Sequence, residues 1–540
     1  RSRLEGSTPR FTAPQIRNAL TIADSLFDAS DRFNRELYII SNFYGSIWDS
    51  VAVMETESAQ MVRRFILPIG PENLPNLSIG RVELKSSILQ QGRPVELDVV
   101  LRNHSSQAVQ TALVSVYLDD QRVAQASVNI AGEATVSRTF SIVPERTGQL
   151  AGWIKFEDID PLAADSRRYF ILDVPDSLRV MVVAPDSSAR MVIQAAFAGD
   201  EAQFVRLNWG DPDGWETTSL AGYDVLLLAG VPTVSSGATR RVAEFVQRGG
   251  GVVLFQGTET DLADLSRGLW HRLGFAGARG TTVQGGIGWE RIDLEHPLFT
   301  GMFEGEGSPK SPSLRFSVDL AIGDGDHVII PLSDGRPLLI ERQVGSGRAL
   351  LYAVPLESRS GDFIYAGIFA PLLFRSVGYV SSCGQNGQSE WETGHRYRPT
   401  LSLPRAVTAQ LTLPNDDRRE LPPRPIVGGV EYNVGLIELP GIYDLSVDNR
   451  IIARYGVNVP NDLSNLVRND ISGTASRFGD AVIIDGDEEE LPEIIYSVRY
   501  GRELWRPTAV IFLLLLVAES LLGRSSGREP NESVQDRKVG

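Results

Sequence analysis

The sequence predicts a multi-domain chain of mixed α/β and all-β parts: an α/β piece, an Ig-like β-sandwich, a flavodoxin-like parallel α/β domain, a small β domain and a C-terminal membrane helix. Three observations carry this. The 540 residues suggest three or four domains at roughly 150 residues each, and 42% apolar residues give each one material for a core. Apolar periodicity changes from segment to segment between helix-plus-buried-strand and strict alternation. One strongly apolar run stands near the C-terminus.

Taken in order, Ile16, Ala19, Leu20, Ala23 and Leu26 recur at three and four, one face of a helix, and Glu36 to Ser41 then reads as a buried strand. Asn42, Phe43 and Tyr44 follow at its carboxyl end, where open α/β sheets place their sites. From about Leu77 to Val174 short alternating runs at 95 to 103, 113 to 119 and 135 to 142 are separated by turns, the spacing of a sandwich. Asp119-Asp120 reads as a tight turn, and a strand at 148 to 156 carries Trp153 as an expected core residue. From Leu178 to about Ser382 apolar strands at 179 to 184, 223 to 229 and 251 to 256 alternate with helices at 189 to 198 and 239 to 248, which predicts a parallel sheet covered on both faces. Inserted hairpins over 279 to 354 and a closing helix over 363 to 380 complete it. Alternating runs from Tyr397 to Asn458 form the small β domain.

Net charge is −16 from 52 basic and 68 acidic residues, which argues against a nucleic-acid partner because phosphates need a basic surface. A single cysteine, Cys383, excludes an internal disulfide, a cysteine-ligated zinc and a CxxC pair. Pro507 to Leu522 is a 16-residue run containing Glu519; Leu513, Leu514, Leu515 and Leu516 are apolar on every helical face, unlike a core helix with a polar side. With Trp505 and Arg506 at one end and Glu519 and Arg524 at the other as interfacial anchors, the run reads as a spanning helix. Flanking arginines on both sides leave its direction open.

Each candidate site competes with a simpler reading. Gly249-Gly250-Gly251 runs from helix to strand, the reverse of a phosphate loop, and reads as a helix C-cap. Gly345-Ser346-Gly347 reads as a hairpin turn. Cys383 lies past a helix, without the strand-to-helix turn or neighbouring histidine of a nucleophile. At the end of the third strand stand Gln256, Gly257 and Thr258, with no evident base. His296, before a proline, reads as a structural turn. The acidic cluster Asp485, Asp487, Glu488, Glu489, Glu490 and Glu493 lacks EF-hand spacing and reads as a solvated linker.

The order of R-E-L-Y-I-I-S-N-F at 35 to 43, E-D-I-D-P-L-A-A-D at 157 to 165, Y-D-V-L-L-L-A-G at 223 to 230, F-V-Q-R-G-G-G at 245 to 251, H-P-L-F at 296 to 299 and R-E-L-W-R-P at 502 to 507 resembles the carboxyl-terminal part of Bat-type aerotolerance-regulator membrane proteins. That resemblance implies the C-terminal part of a von Willebrand factor A-like domain (1–70), a sandwich (77–175), a class I glutamine-amidotransferase-like domain (178–384), a small β domain (385–460), an acidic linker (461–505), a membrane helix (506–523) and a disordered tail (524–540). It also implies an upstream truncation, with two membrane helices and a D-x-S-x-S cation motif before Arg1. Asn42 stands where the family carries aspartate, and Thr12 is set against the family's cation-binding threonine. No cofactor is expected, and a divalent cation such as Mg²⁺ only together with the upstream motif. The amidotransferase Cys-His-Glu triad is missing.

The expected protein is therefore a non-catalytic, membrane-anchored interaction scaffold. The resemblance puts its folded domains outside the cytoplasm, in cell-envelope or stress-related assembly with other envelope or membrane proteins. The alternatives are an amidotransferase- or hydrolase-type enzyme, or a small-ligand sensor, using the 178–384 domain.

Overall fold

The computed structural model describes Phe11 to Ser525 apart from residues 13–14, 30–34, 46, 49–61, 86–88, 158–161, 163, 200–203, 290–291, 295, 300–301, 303–309, 382–389, 402, 428, 480, 485–490 and 501–503. Cys383, the acidic residues at 485 to 490, most of the 157 to 165 motif and the tail beyond 525 lie outside the described residues. The described chain forms two compact units, one of residues 73–467 with Phe11 and Thr12, the other of 15–72 and 468–525.

In the discontinuous unit, α1 (Ile16–Asp28) precedes β1 (Arg35–Ser41) and β2 (Val62–Pro68). The sheet order is β1, β2, then Val482–Ile483, all parallel, with Phe65 beside Val482 and Ile66 beside Ile483. Because β2 lies in the middle it is the buried strand. β1, read from its apolar run as buried, is instead an edge strand whose Ile40 is 61% exposed. The 461–505 segment, expected only to link, contributes helix Ile471–Arg477 and the strand at 482 to 483 to this unit. Its apolar residues explain the difference: Ala475 and Phe478 pack with Phe43, Trp48 and Ile66 in one small core, and Ile484 with Phe65 and Leu67 in another.

The sandwich has sheets β3-β4-β7 and β6-β5-β8-β9, from strands β3 (Leu77–Leu84), β4 (Val95–Asn103), β5 (Val109–Leu118), β6 (Gln121–Ile130), β7 (Thr135–Ile142), β8 (Gly148–Phe156) and β9 (Arg167–Val174). Alternate residues of β4, from Val95 to Leu101, are buried, as a one-sided sheet requires. Asp119 and Asp120 both adopt left-handed φ, 45° and 68°, and close a two-residue hairpin between the paired Leu118 and Gln121. Trp153 is not in the core. The two-residue period sends Gly152, Ile154 and Phe156 inward and leaves Trp153 half-buried outside, stacked on Tyr117 at 5.4 Å with Arg167 over its ring.

Inside this sandwich Ser78 and His104 are both buried and lie 2.8 Å apart, Oγ to Nε2. Burial, helped by Arg102, pushes the His104 imidazole down to about 4 from 6.5. Between those values the unfolded chain binds more protons than the folded one, so stability rises with pH across that window. The His104 contribution is complete above pH 6.5 and shrinks as pH falls towards 4, a loss of about 2 kcal/mol by pH 5. Urea unfolding at pH 7 and pH 5 checks this, with a smaller acid loss expected in His104→Gln.

The third region carries a seven-stranded sheet, order β11-β10-β12-β13-β18-β17-β16. Its elements are β10 (Leu178–Val183), α2 (Ser187–Ala196), β11 (Val205–Trp209), β12 (Val225–Ala229), α3 (Ser236–Gln247) and β13 (Gly251–Phe255). There follow a separate antiparallel pair β14 (Ala278–Ile287) and β15 (Leu314–Leu320), then β16 (His327–Pro331), β17 (Pro337–Val344), β18 (Gly347–Tyr352) and α4 (Phe369–Ser381). The hairpins expected as insertions therefore supply three strands of the main sheet: β18 joins β13 in parallel, and β17 and β16 extend it antiparallel. α2 and α4 pack on one face and α3 on the other, which is why every residue of β12 and β13 is buried. Gly249, with φ 107°, directly follows the α3 C-cap Arg248 and supplies the positive φ expected there.

The small β domain is a five-stranded sheet in the order Glu390–Glu392, Arg450–Asn458, Gly441–Val447, Ala409–Thr412, Arg418–Leu421, with Trp391 stacked between Tyr397 and Tyr455 at 4.4 and 3.9 Å. A polar seam joins it to the sandwich. The buried Asn458 amide imitates a strand partner: Oδ1 accepts from the Tyr169 N–H at 2.7 Å and Nδ2 donates to the Tyr169 carbonyl at 2.9 Å and to Glu390 Oε1 at 2.9 Å. Arg168 pairs with the same Glu390. Asn458→Ala strands these groups and is expected to cost about 2 to 3 kcal/mol, read as a lower urea midpoint for loss of tryptophan fluorescence.

Candidate functional site

Among the described residues, two places in the third region gather chemistry-bearing side chains. The first is the carboxyl edge of the parallel strands. β11 lies to one side of β10 and β12 to the other, so the strand order reverses at β10, the position where open α/β sheets leave a crevice. Asp186 there caps α2, accepting from the Ala189 N–H at 3.1 Å. Gly230, φ 68°, and Gly257 bring the loops after β12 and β13 together: a Cβ on Gly257 would lie 2.9 Å from the Gly230 Cα. Gln256 is buried, and its Oε1 has no hydrogen-bond partner among the described residues.

The structure also places a carboxylate at Thr258, where the sequence shows no base. Thr258 Oγ1 donates to Glu357 Oε1 and Oε2 at 3.2 and 3.1 Å, and the Thr258 N–H points to Oε1 at 3.4 Å. Glu357 is 99 residues away but follows β18, the parallel neighbour of β13, so the two strands end side by side. The arrangement resembles a nucleophile with an acceptor. Yet the Gly257 N–H is taken by Thr260 Oγ1 at 2.8 Å, and the Thr258 N–H faces Glu357 Oε1 at 3.4 Å. In this geometry one N–H is engaged and the other faces a carboxylate, the opposite charge environment to that of an oxyanion donor. The pair's evident effect is to tie two loops.

The second place is built on the β16–β17 hairpin. His327 and Glu341 are register partners, and His296 joins them from the His296-Pro297-Leu298-Phe299 turn, which Leu298 and Phe299 pin into the core. His296 Nε2 and His327 Nδ1 each lie 3.4 Å from Glu341 Oε2. Glu341 Oε1 accepts from Tyr379 OH at 2.9 Å and pairs with Arg348 Nε at 2.5 Å, while the Arg348 guanidinium covers the Tyr379 ring at 3.9 Å. Burial alone would raise the Glu341 carboxyl, but the nearby His296 ring, the Arg348 charge and the Tyr379 hydroxyl outweigh it and hold it down at about 2. His296 is thus more than a turn residue. Its partners come from 31 and 45 positions downstream, a separation that no local motif reveals.

Thr12 and Asn42 belong to different compact units. Thr12 lies beside Gly394, and Asn42 Oδ1 accepts from the Tyr44 N–H at 3.3 Å. The Asn42 amide oxygen is thus engaged locally and brings no charge to a cation. Trp505, Leu513, Leu514, Leu515 and Leu516 lie on helix Trp505–Ser525, 48 to 63% exposed. Its Trp505–Leu522 stretch has a mean hydropathy of 1.7 and no buried share, long and apolar enough to cross a membrane.

No protein-family model matches the chain, and no curated protein matches it. Among solved structures it is similar to the cytoplasmic protein STM3548 of Salmonella typhimurium, at 13% identity over 38% of this chain and 98% of that one, with a TM-score of 0.29. A CARDB domain from Pyrococcus furiosus, solved in complex with di-metal ions, aligns at 14% identity over 20% of this chain and 95% of its own, TM-score 0.18. A ThuA-like protein from Bacteroides uniformis aligns at 15% identity over 38% of this chain and 91% of its own, TM-score 0.29. These likenesses are partial, and none assigns the chain to a family.

Proposed function

We propose that the protein is a non-catalytic interaction scaffold held at a membrane by its C-terminal helix. The observation that carries this reading is the Trp505–Leu522 stretch, long and apolar enough to cross a membrane and with none of it buried among the described residues. Apolar side chains left in water on this scale are unfavourable, and a bilayer removes the cost. The sandwich, the α/β region and the small β domain offer a large folded surface, and the acidic charge of −16 favours protein partners over nucleic acid. The Gly257 N–H, engaged by Thr260, and the carboxylate facing the Thr258 N–H favour a scaffold over a hydrolase.

The resemblance to Bat-type proteins, with their von Willebrand A-like and amidotransferase-like domains, supports an extracytoplasmic position and envelope or membrane proteins as partners. Fractionation of the full chain tests the anchor: it stays in the pellet after a carbonate wash if the helix spans, and full recovery in the supernatant overturns the proposal. Protease added outside right-side-out vesicles tests sidedness, with digestion of the folded domains expected and complete protection overturning the extracytoplasmic placement.

A further inference from the structure

We propose that His296, His327 and Glu341 form a divalent transition-metal site, with zinc its preferred ion. Their three donor atoms all lie within 4.8 Å of one another. The two 3.4 Å separations from Glu341 Oε2 are long for hydrogen bonds, which centre near 2.9 Å. They match a metal better: an ion bound at about 2.0 to 2.1 Å in tetrahedral geometry holds its ligand atoms about 3.3 to 3.4 Å apart. The carboxylate is also divided as metal sites divide it. Oε1 is fixed by Tyr379 and Arg348, the outer partners that orient a ligand, while Oε2 faces both imidazoles.

The donor set selects the ion. Two imidazole nitrogens and one carboxylate oxygen suit zinc, whereas magnesium and calcium take oxygen ligands. His296 and Glu341 are buried while the His327 side chain is 60% exposed, so an ion enters from the His327 side and keeps its fourth position open to water. Two features weaken the site without removing it. The Leu298 N–H lies 3.2 Å from His296 Nδ1, so Nε2 carries the ring proton in this geometry. Metal binding at Nε2 moves that proton to Nδ1 and breaks the Leu298 contact. The Arg348 charge beside Glu341 also opposes a second cation, so affinity falls below that of a closed structural zinc site.

Equilibrium dialysis of the full chain in detergent with Zn²⁺ tests the assignment, and the visible absorption of added Co²⁺ reports geometry. One zinc per chain and a tetrahedral cobalt spectrum are expected. His327→Ala, at an exposed position, should keep the thermal midpoint of the metal-free chain and weaken zinc binding at least tenfold. Tyr379→Phe, a positioning change, should weaken it about tenfold. Zinc uptake unchanged in His327→Ala, or no uptake by the unaltered chain, overturns the proposal and leaves the cluster as an ion-pair knot. Neither outcome bears on membrane anchoring.

Discussion

Changing Leu514 and Leu515 together to arginine is expected to release the full chain from membranes. Both residues lie near the middle of the 18-residue apolar stretch and are 61 and 63% exposed. Each arginine near a helix centre costs about 2.5 to 3.5 kcal/mol, so the pair costs about 5 to 7 kcal/mol. That is enough to shift a partition by more than a thousandfold. Leu514→Ala with Leu515→Ala keeps the stretch uncharged and should stay in the pellet. Retention of the double arginine variant after a carbonate wash would mean that another part of the chain holds it there.

Gly347→Ala is the point substitution with the largest expected effect on folding. Gly347 opens β18 and is paired with Val344 across the Gly345-Ser346 turn, directly below the end of α3. A Cβ there would fall well inside contact distance of two backbone oxygens, those of Val246 and Gly250. Backbone carbonyls held between a packed helix and a sheet strand cannot rotate aside as a side chain can. We expect about 4 kcal/mol of destabilisation or more, read as lost expression or a steep drop in thermal midpoint. Gly335 is the control. It has φ 83° and nothing within 4 Å of an added Cβ, so alanine there meets only backbone strain of about 1 to 2 kcal/mol.

Local pattern carried the secondary structure further than it carried the sites. The strands at 95 to 103, 135 to 142 and 148 to 156 lie where alternation puts them, since a half-buried strand writes its period into the residues themselves. A continuous apolar run is less informative. It marks β12 and β13 as buried and also β1, which lies at a sheet edge, because the run does not say how many neighbours a strand has. Trp153 misleads in the opposite way, since its size suggests a core position while its register places it outside. The side-chain groupings depend on strand order instead. Glu357 reaches Thr258 only because β18 lies beside β13, and Glu341 reaches His296 only because a turn folds back over β17. Neither adjacency has a signature in spacing along the chain.

The three-stranded sheet of β1, β2 and Val482–Ile483 also sets a schedule for synthesis. Roughly 400 residues separate the end of β2 from the segment that completes its sheet. At roughly 5 to 20 residues per second a ribosome takes about 20 to 80 s to produce them. The intervening sandwich and α/β region have time to fold, whereas Phe65, Ile66 and Leu67 must wait with one side of their strand unmatched. Their last partners emerge only about 20 residues ahead of the apolar helix, so completion of this unit and emergence of that helix fall close together in time.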